Sequence, residues 1–205
     1  LFRSLYANTR CSSRSGMLFK KRDYDELVSA SSMQEVFAHL EDSYYSSLME
    51  HAKSVSQLSS LLEKDLYETY AWLSNVVPKK LQPIIEKFKL RFEVNDLKEA
   101  MNACAKGENT KNLDHIDDAN FRIKIESCKD LDSFAGSLKD TKYDAIVAQN
   151  AEPTVAYLSN GLDHYYYSAV QEEIRQLREN EGAKAFVDFW RKNIDLVNIR
   201  MTIRR

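Results

Sequence analysis

At 205 residues the chain is long enough for one large domain or two modest ones, and it can bury enough surface to be stable without staples. Five glycines and three prolines are too few for the turn positions of a sheet protein, which predicts an all-α fold. A formal net charge of −2 with both signs interspersed argues against a general nucleic-acid binder, which would carry a basic excess or stripe.

The predicted elements follow from hydrophobic spacing and punctuation. Residues 1–20 mix Arg, Ser and aliphatics and are read as a helix or a partly ordered arm. Asp23 to Val28 opens a short helix, and Ser32-Met33-Gln34-Glu35 has the form of a capping box that starts a second one. From Tyr44 to Ser74 no Pro or Gly interrupts an apolar 3.6-residue period, which predicts one or two long helices ended by Pro78. Leu81–Leu90 and Val94–Ala105 read as two further helices, the second stopped by Gly107. Residues 106–117 are polar and turn-rich and form the best linker, giving a division into 1–112 and 113–205. Beyond it, helices are expected over Asp117–Cys128, Leu131–Leu138 and Tyr143–Gln149. A long one should run from Pro153, in its first turn, to Arg178. Gly182 marks a turn, and Lys184–Lys192 and Leu196–Arg204 complete the chain.

The same pattern is written twice. Leu58-Ser59-Ser60-Leu61-Leu62-Glu63-Lys64 returns as Leu158-Ser159-Asn160-Gly161-Leu162-Asp163-His164, at an offset of 100. Met33, Val36, Leu40, Asp42, Tyr45 and Leu48 return 98 residues later as Leu131, Phe134, Leu138, Asp140, Tyr143 and Ile146. Glu93 to Lys98 returns as Asp195 to Arg200, at an offset of 102. A repeat near 100 residues is a duplicated helical module, since solenoid units have periods of roughly 20–50.

Few residues point to chemistry. The glycines never lie close enough for a phosphate-cradling loop, which excludes Walker-type nucleotide hydrolysis by this chain. His115-Ile116-Asp117-Asp118 has metal-ligand residue types, but an Asp before a helix is the usual cap, and capping is the expected role. His39, His51 and His164 have no partner at i+4. Cys11, Cys104 and Cys128 lack metal-type spacing, and Cys104 and Cys128 are expected to be packing residues. An odd cysteine count without a recognisable signal peptide predicts a reducing, cytosolic setting. No apolar run nears the roughly 20 residues of a membrane span. Because the chain starts at Leu1, trimming or missing residues at that end are expected. Basic residues gather at both ends: Arg3, Arg10, Arg14, Lys20, Lys21 and Arg22, then Arg200, Arg204 and Arg205. The last three suit a helix C-terminus; the first group is read as solvated, with an acidic partner or lipid headgroups as the alternative.

Tyr6-Ala7-Asn8 with Arg10, Asp23 to Leu27, Asp163-His164-Tyr165-Tyr166-Tyr167 and Asp195-Leu196-Val197-Asn198-Ile199-Arg200 together resemble the C subunit of archaeal-type (A/V-type) rotary ATPases, whose vacuolar counterpart is the d subunit. Glu93 to Lys98 is a weaker copy of the last motif. The resemblance implies three helical modules arranged as a funnel, of which this sequence carries two and lacks the third. It implies a non-catalytic, cytoplasmic, peripheral subunit without cofactor or metal, serving a proton- or sodium-translocating ATP synthase or ATPase. Its implied role is a socket between the central-stalk subunits and the membrane proteolipid ring, with no nucleic-acid partner and no membrane span of its own. Partner contacts are expected at Tyr165 and Tyr167, which flank the core position Tyr166, and at Asn95 and Asn198. Weighed against these contacts, the residues themselves are read as core and boundary packing for the tyrosines and as helix capping for Asn95, Asp96, Asp195 and Asn198. A generic all-α adaptor, and a helical hydrolase using carboxylates such as Asp117 and Asp118, are the other functional readings.

Overall fold

The computed structural model describes residues 2–110, 113–148, 153–177 and 183–203, and among them it is all-α, without a strand. The helices are α1 (Phe2–Ser15), α2 (Lys21–Ser29), α3 (Met33–Glu41), α4 (Ser46–Met49), α5 (Val55–Val76), α6 (Gln82–Lys106), α7 (Ala119–Glu126), α8 (Leu131–Ser137), α9 (Asp144–Val147), α10 (Val155–Leu177) and α11 (Ala183–Ile203). A single 3-10 turn, Lys79–Leu81, leads into α6. Starts at 21, 33, 46, 55 and 82 return at 119, 131, 144, 155 and 183, so the order and spacing of helices repeat with the sequence. The chain divides into two compact units, 1–85 and 86–205.

Helix ends follow side-chain chemistry. Ser54 accepts from the Gln57 N–H to start α5, so the long period after Tyr44 is split by an irregular stretch after α4. Val77 turns extended before Pro78 and ends α5 where the proline forbids continuation. Ser32 caps α3 as a capping box requires, and Glu35 Oε2 reaches back chiefly to Ser31, accepting from its N–H at 2.6 Å and from its hydroxyl at 3.0 Å. Those bonds lower the Glu35 carboxyl below its ordinary value. Gly107, at φ +69°, closes α6, with its N–H on Cys104 O and that of Glu108 on Ala103 O. Thr154, not Pro153, caps α10: its Oγ1 accepts from the Tyr157 N–H, and Pro153 stands outside the helix.

Two predicted breaks are absent. Leu81–Leu90 and Val94–Ala105 are one helix, α6, and the pair around Leu196 is likewise one helix, α11. In both cases no Pro or Gly intervenes, and the recurring Asp/Asn motif, which the sequence pattern suggests is a cap, sits in mid-helix. Gln149, Arg178, Gly182, Arg204 and Arg205 lie outside the described residues, as does Asn112 at the predicted division; nor are the side chains of Arg3 and Arg200 described.

In the first unit Leu40, Met49, Ala52 and Leu58 are buried, with Phe19, Leu27, Phe37, Tyr45 and Leu62 packed on them. The guanidinium groups of Arg10 and Arg14 lie 5.5 and 4.8 Å from the Trp72 ring centre and pin α1 along α5. In the second unit Leu158, Leu162, Tyr166, Val170 and Ile174, four residues apart, form the buried stripe of α10, which packs on α9 and α11. Trp190 of α11 is buried against Tyr166, Tyr167 and Phe88.

Gly161 stands 100 residues after Leu61 in the repeated sequence pattern, and a Cβ there would run into Ile146 Cγ2 of α9. Gly136 in α8 has open space around it. Opposite signs follow: Gly161→Ala destabilises by about 1–3 kcal/mol despite alanine's helix propensity, while Gly136→Ala stabilises by about 0.5–1 kcal/mol. Urea unfolding of the two variants measures both, and equal signs would contradict the close approach of α9.

Candidate functional site

Polar residues with long-range partners collect along α6 in the second unit. Glu93 and Asp96 are three residues apart on a helix and therefore share a face. Both carboxylates are largely withdrawn from water, with side chains 14% and 9% exposed. Each therefore needs donors. Glu93 Oε1 accepts from the Tyr143 hydroxyl at 3.0 Å, and Glu93 Oε2 from Lys142 Nζ at 2.6 Å. Asp96 Oδ2 accepts from the backbone N–H of His115, and its Oδ1 lies 2.9 Å from His115 Nδ1. The His115 ring in turn lies 5.4 Å from that of Phe92, one turn back along α6.

These bonds fix two segments that are not helical themselves. Asp96 anchors the linker, whose Leu113 and Ile116 side chains are buried. Arg122 closes it from the other side, donating through Nε and Nη2 to Ile116 O, and Asp118 caps α7 through the N–H groups of Asn120 and Phe121. The expected capping role of this acidic pair is therefore carried by Asp118. Glu93 anchors the turn between α8 and α9, where the fully buried Tyr143 meets Tyr165 of α10 with ring centres 4.8 Å apart. Burial first, and the neighbouring Glu93 charge second, push the Tyr143 phenol far above its ordinary value; the same causes raise Tyr165. Lys98, two residues beyond Asp96 and so on another side of α6, pairs with Asp163 on α10.

Two motifs that the sequence keeps 65 residues apart, Glu93–Lys98 and Asp163–Tyr167, thus meet in space. The four predicted contact residues fall on three helices: Asn95 on α6, Tyr165 and Tyr167 on α10, Asn198 on α11. Asn95 and both tyrosines are half-buried and Asn198 is exposed. Tyr167 packs on Trp190 with the ring planes tilted by 42°, and burial raises its phenol. Asn95 and Asn198 do not cap helix starts, because both lie inside long helices. Sequence reasoning named Glu93 in a motif, His115 in a cluster of metal-ligand types and Tyr143 in the repeat, but missed that Glu93 holds Tyr143 and that Asp96 holds His115. The signal that could have found them is the apolar pair Leu113 and Ile116 inside a polar linker, which marks that segment as anchored.

The two copies of the motif differ in environment. On α6, Val94, Asp96 and Leu97 are buried; on α11 the counterparts Leu196, Asn198 and Ile199 are exposed. With Phe189, Leu196 and Ile199 leave an apolar stripe open on α11.

Chemically, this arrangement holds and positions. Burial raises both thiols, Cys104 and Cys128, and among the described residues no activating base is in contact with either. A hollow at the end of α6 is lined by Glu99, Ala103, Gly107, Glu108 and Asn109. Among the described residues no three His, Cys, Asp or Glu side chains converge in a way that could hold a metal, and no helix is long and apolar enough to cross a membrane.

Comparison with known proteins gives a consistent result. The profile of the ATP synthase (C/AC39) subunit family matches residues 7–205. Similar proteins include the C subunit of the A-type ATP synthase of Thermococcus kodakarensis, 24% identical over 97% of this chain and 56% of the relative. The corresponding A-type ATP synthase subunits of Methanocaldococcus jannaschii and Methanothermobacter thermautotrophicus are 22% and 21% identical, over 97% and 100% of this chain and 53% and 54% of theirs. The chain therefore spans about half the length of the curated relatives it matches. No solved structure matches it.

Two outcomes follow from the buried carboxylates. Asp96→Ala removes the acceptor of two bonds and costs about 3 kcal/mol in urea unfolding, with His115→Ala costing less because the backbone bond survives. Tyr143→Phe costs about 2 kcal/mol near neutral pH. Because the folded chain holds the Tyr143 proton more tightly than the unfolded chain, stability is intact below about pH 10 and falls above it. Tyr143→Phe flattens that fall; an unchanged slope would contradict the assignment.

Proposed function

The chain belongs to the ATP synthase (C/AC39) subunit family, and from that premise we propose that it is a non-catalytic coupling subunit of an A/V-type proton- or sodium-translocating rotary complex. The observation that carries the reading is the family match across nearly the whole chain. In this role the chain joins the central-stalk subunits to the membrane proteolipid ring as a socket, peripheral to the membrane on its cytoplasmic side. It carries two modules, 1–112 and 113–205, of a funnel built from three. Torque transfer needs a part that does not deform, and the charge-assisted bonds from Glu93 and Asp96 to the linker and the α8–α9 turn supply stiffness where helices are interrupted.

The docking surface is the open side of α11. Phe189, Leu196 and Ile199 offer an apolar stripe beside Asn198, the form of surface on which a partner helix lays its own apolar face. Tyr165 and Tyr167, amphipathic and half-buried, and Asn95 are the remaining contact residues.

Size-exclusion chromatography with light scattering, on the chain alone and mixed with an A-type central-stalk subunit, tests this. A one-to-one complex that Leu196→Asp and Ile199→Asp abolish is the expected result. If the two-module chain fails to bind, the same run with a chain carrying a third module decides: failure there too overturns the socket and leaves a generic helical adaptor.

A further inference from the structure

The first 22 residues contain six basic side chains and no acidic one, in a chain whose net charge is −2. Those basic groups do not all point the same way. Arg10 and Arg14 lie over Trp72, and Arg14 also donates to the Tyr44 hydroxyl and sits near Asp65. Arg22 is taken by Glu26, 2.7 Å away. Lys20 and Lys21 are exposed and make no ion pair among the described residues. They directly follow a turn at residues 16–18 whose two apolar side chains face water: Met17 is 51% and Leu18 53% exposed. Met17 and Leu18 thus form a small apolar pair open to solvent, whose burial on a partner surface would be favourable.

The turn is held from beneath. Phe19 inserts among Tyr24, His39 and Tyr45, with ring centres 5.8, 6.0 and 5.1 Å away, and packs on the buried cluster of the first unit. The N–H of Lys20 bonds Asp23 Oδ2 at 2.7 Å, which starts α2 and fixes the chain on the other side of Phe19. An anchored turn thus presents an apolar pair with a lysine pair two residues further on. This pattern suits a surface that is anionic outside and apolar just beneath. A folded acidic protein would match the lysines but would need an apolar pocket shaped for Met17 and Leu18, whereas a bilayer offers its apolar layer to any side chains at that depth. The acidic residues of α2, Asp23, Asp25 and Glu26, follow the lysines; Asp23 and Glu26 are engaged by the Lys20 N–H and by Arg22.

We propose that the turn at residues 16–21 is a peripheral membrane contact, in which Met17 and Leu18 enter the interfacial layer of an anionic bilayer while Lys20 and Lys21 bind its headgroups. This contact goes beyond the coupling role and does not depend on it, since binding to lipid alone needs no partner subunit.

Co-sedimentation of the full chain with vesicles of phosphatidylcholine, or of phosphatidylcholine mixed with phosphatidylglycerol, tests it. The chain sediments with the mixed vesicles only, and added salt releases it. Lys20→Gln with Lys21→Gln weakens binding about 25-fold, and Met17→Ser with Leu18→Ser weakens it at least about tenfold. All four positions are exposed, so far-UV circular dichroism of the variants stays native. No binding to mixed vesicles, equal binding to both kinds, or binding unchanged by either pair overturns the proposal.

Discussion

Two carboxylates on one face of α6, Asp96 buried and Glu93 half-buried, set the geometry of the second unit. A carboxylate withdrawn from water is tolerated only where donors converge on it, and the helix backbone cannot supply them because its N–H groups are already bonded. Glu93 and Asp96 must therefore recruit donors from elsewhere in the chain. Those donors come from segments with no regular structure of their own: Lys142 and Tyr143 in one turn, His115 in the linker. The apolar core then closes around the arrangement, with Leu113, Ile116 and Tyr143 buried beside it. Removing either acid would leave buried donors unpaired, so the polar bonds and the packing stand or fall together.

The same feature gives the functional reading a physical basis. An all-α chain without an activated nucleophile or a converging metal-ligand set among its described residues is suited to shape and rigidity. Its weakest points should be the breaks between helices. In the second unit those breaks are where the charge-assisted bonds fall, and in the first unit Arg10 and Arg14 stacked on Trp72 hold α1 to α5. The copy of the motif on α11 places the matching residues in solvent. Side chains that are core on α6 become an open apolar stripe on α11.

Much of this was legible beforehand, and the misses share a cause. Scarce Gly and Pro, the 3.6-residue period from Val155 onward and Pro78 read correctly as helices and their stops, because each acts locally. Gly107 was legible for the same reason: only a residue tolerant of positive φ ends α6 that way. The error was to treat Asn95, Asp96 and Asn198 as helix caps. A polar cluster on a helix reads as a cap when its partner is local, and Asp96 has its partner nineteen residues away in sequence. The Glu93–Tyr143 bond spans fifty residues and leaves no trace in spacing. The family motifs marked the residues Glu93–Lys98 and Asp163–Tyr167, but not that Lys98 pairs with Asp163 or that Tyr165 lies on Tyr143. Linear patterns show which residues are special; only the fold shows to what they are bound.

The central claim is that the irregular segments of the second unit are as firmly held as the helices they join. Native-state hydrogen exchange at increasing denaturant tests it most directly, read at the amides of His115 and Tyr143 against those in the middle of α6 and α10. The account predicts that the His115 and Tyr143 amides open only with the helices, in the unit's global unfolding. Exchange of those two amides through a low-energy local opening, while α6 and α10 stay protected, would contradict it.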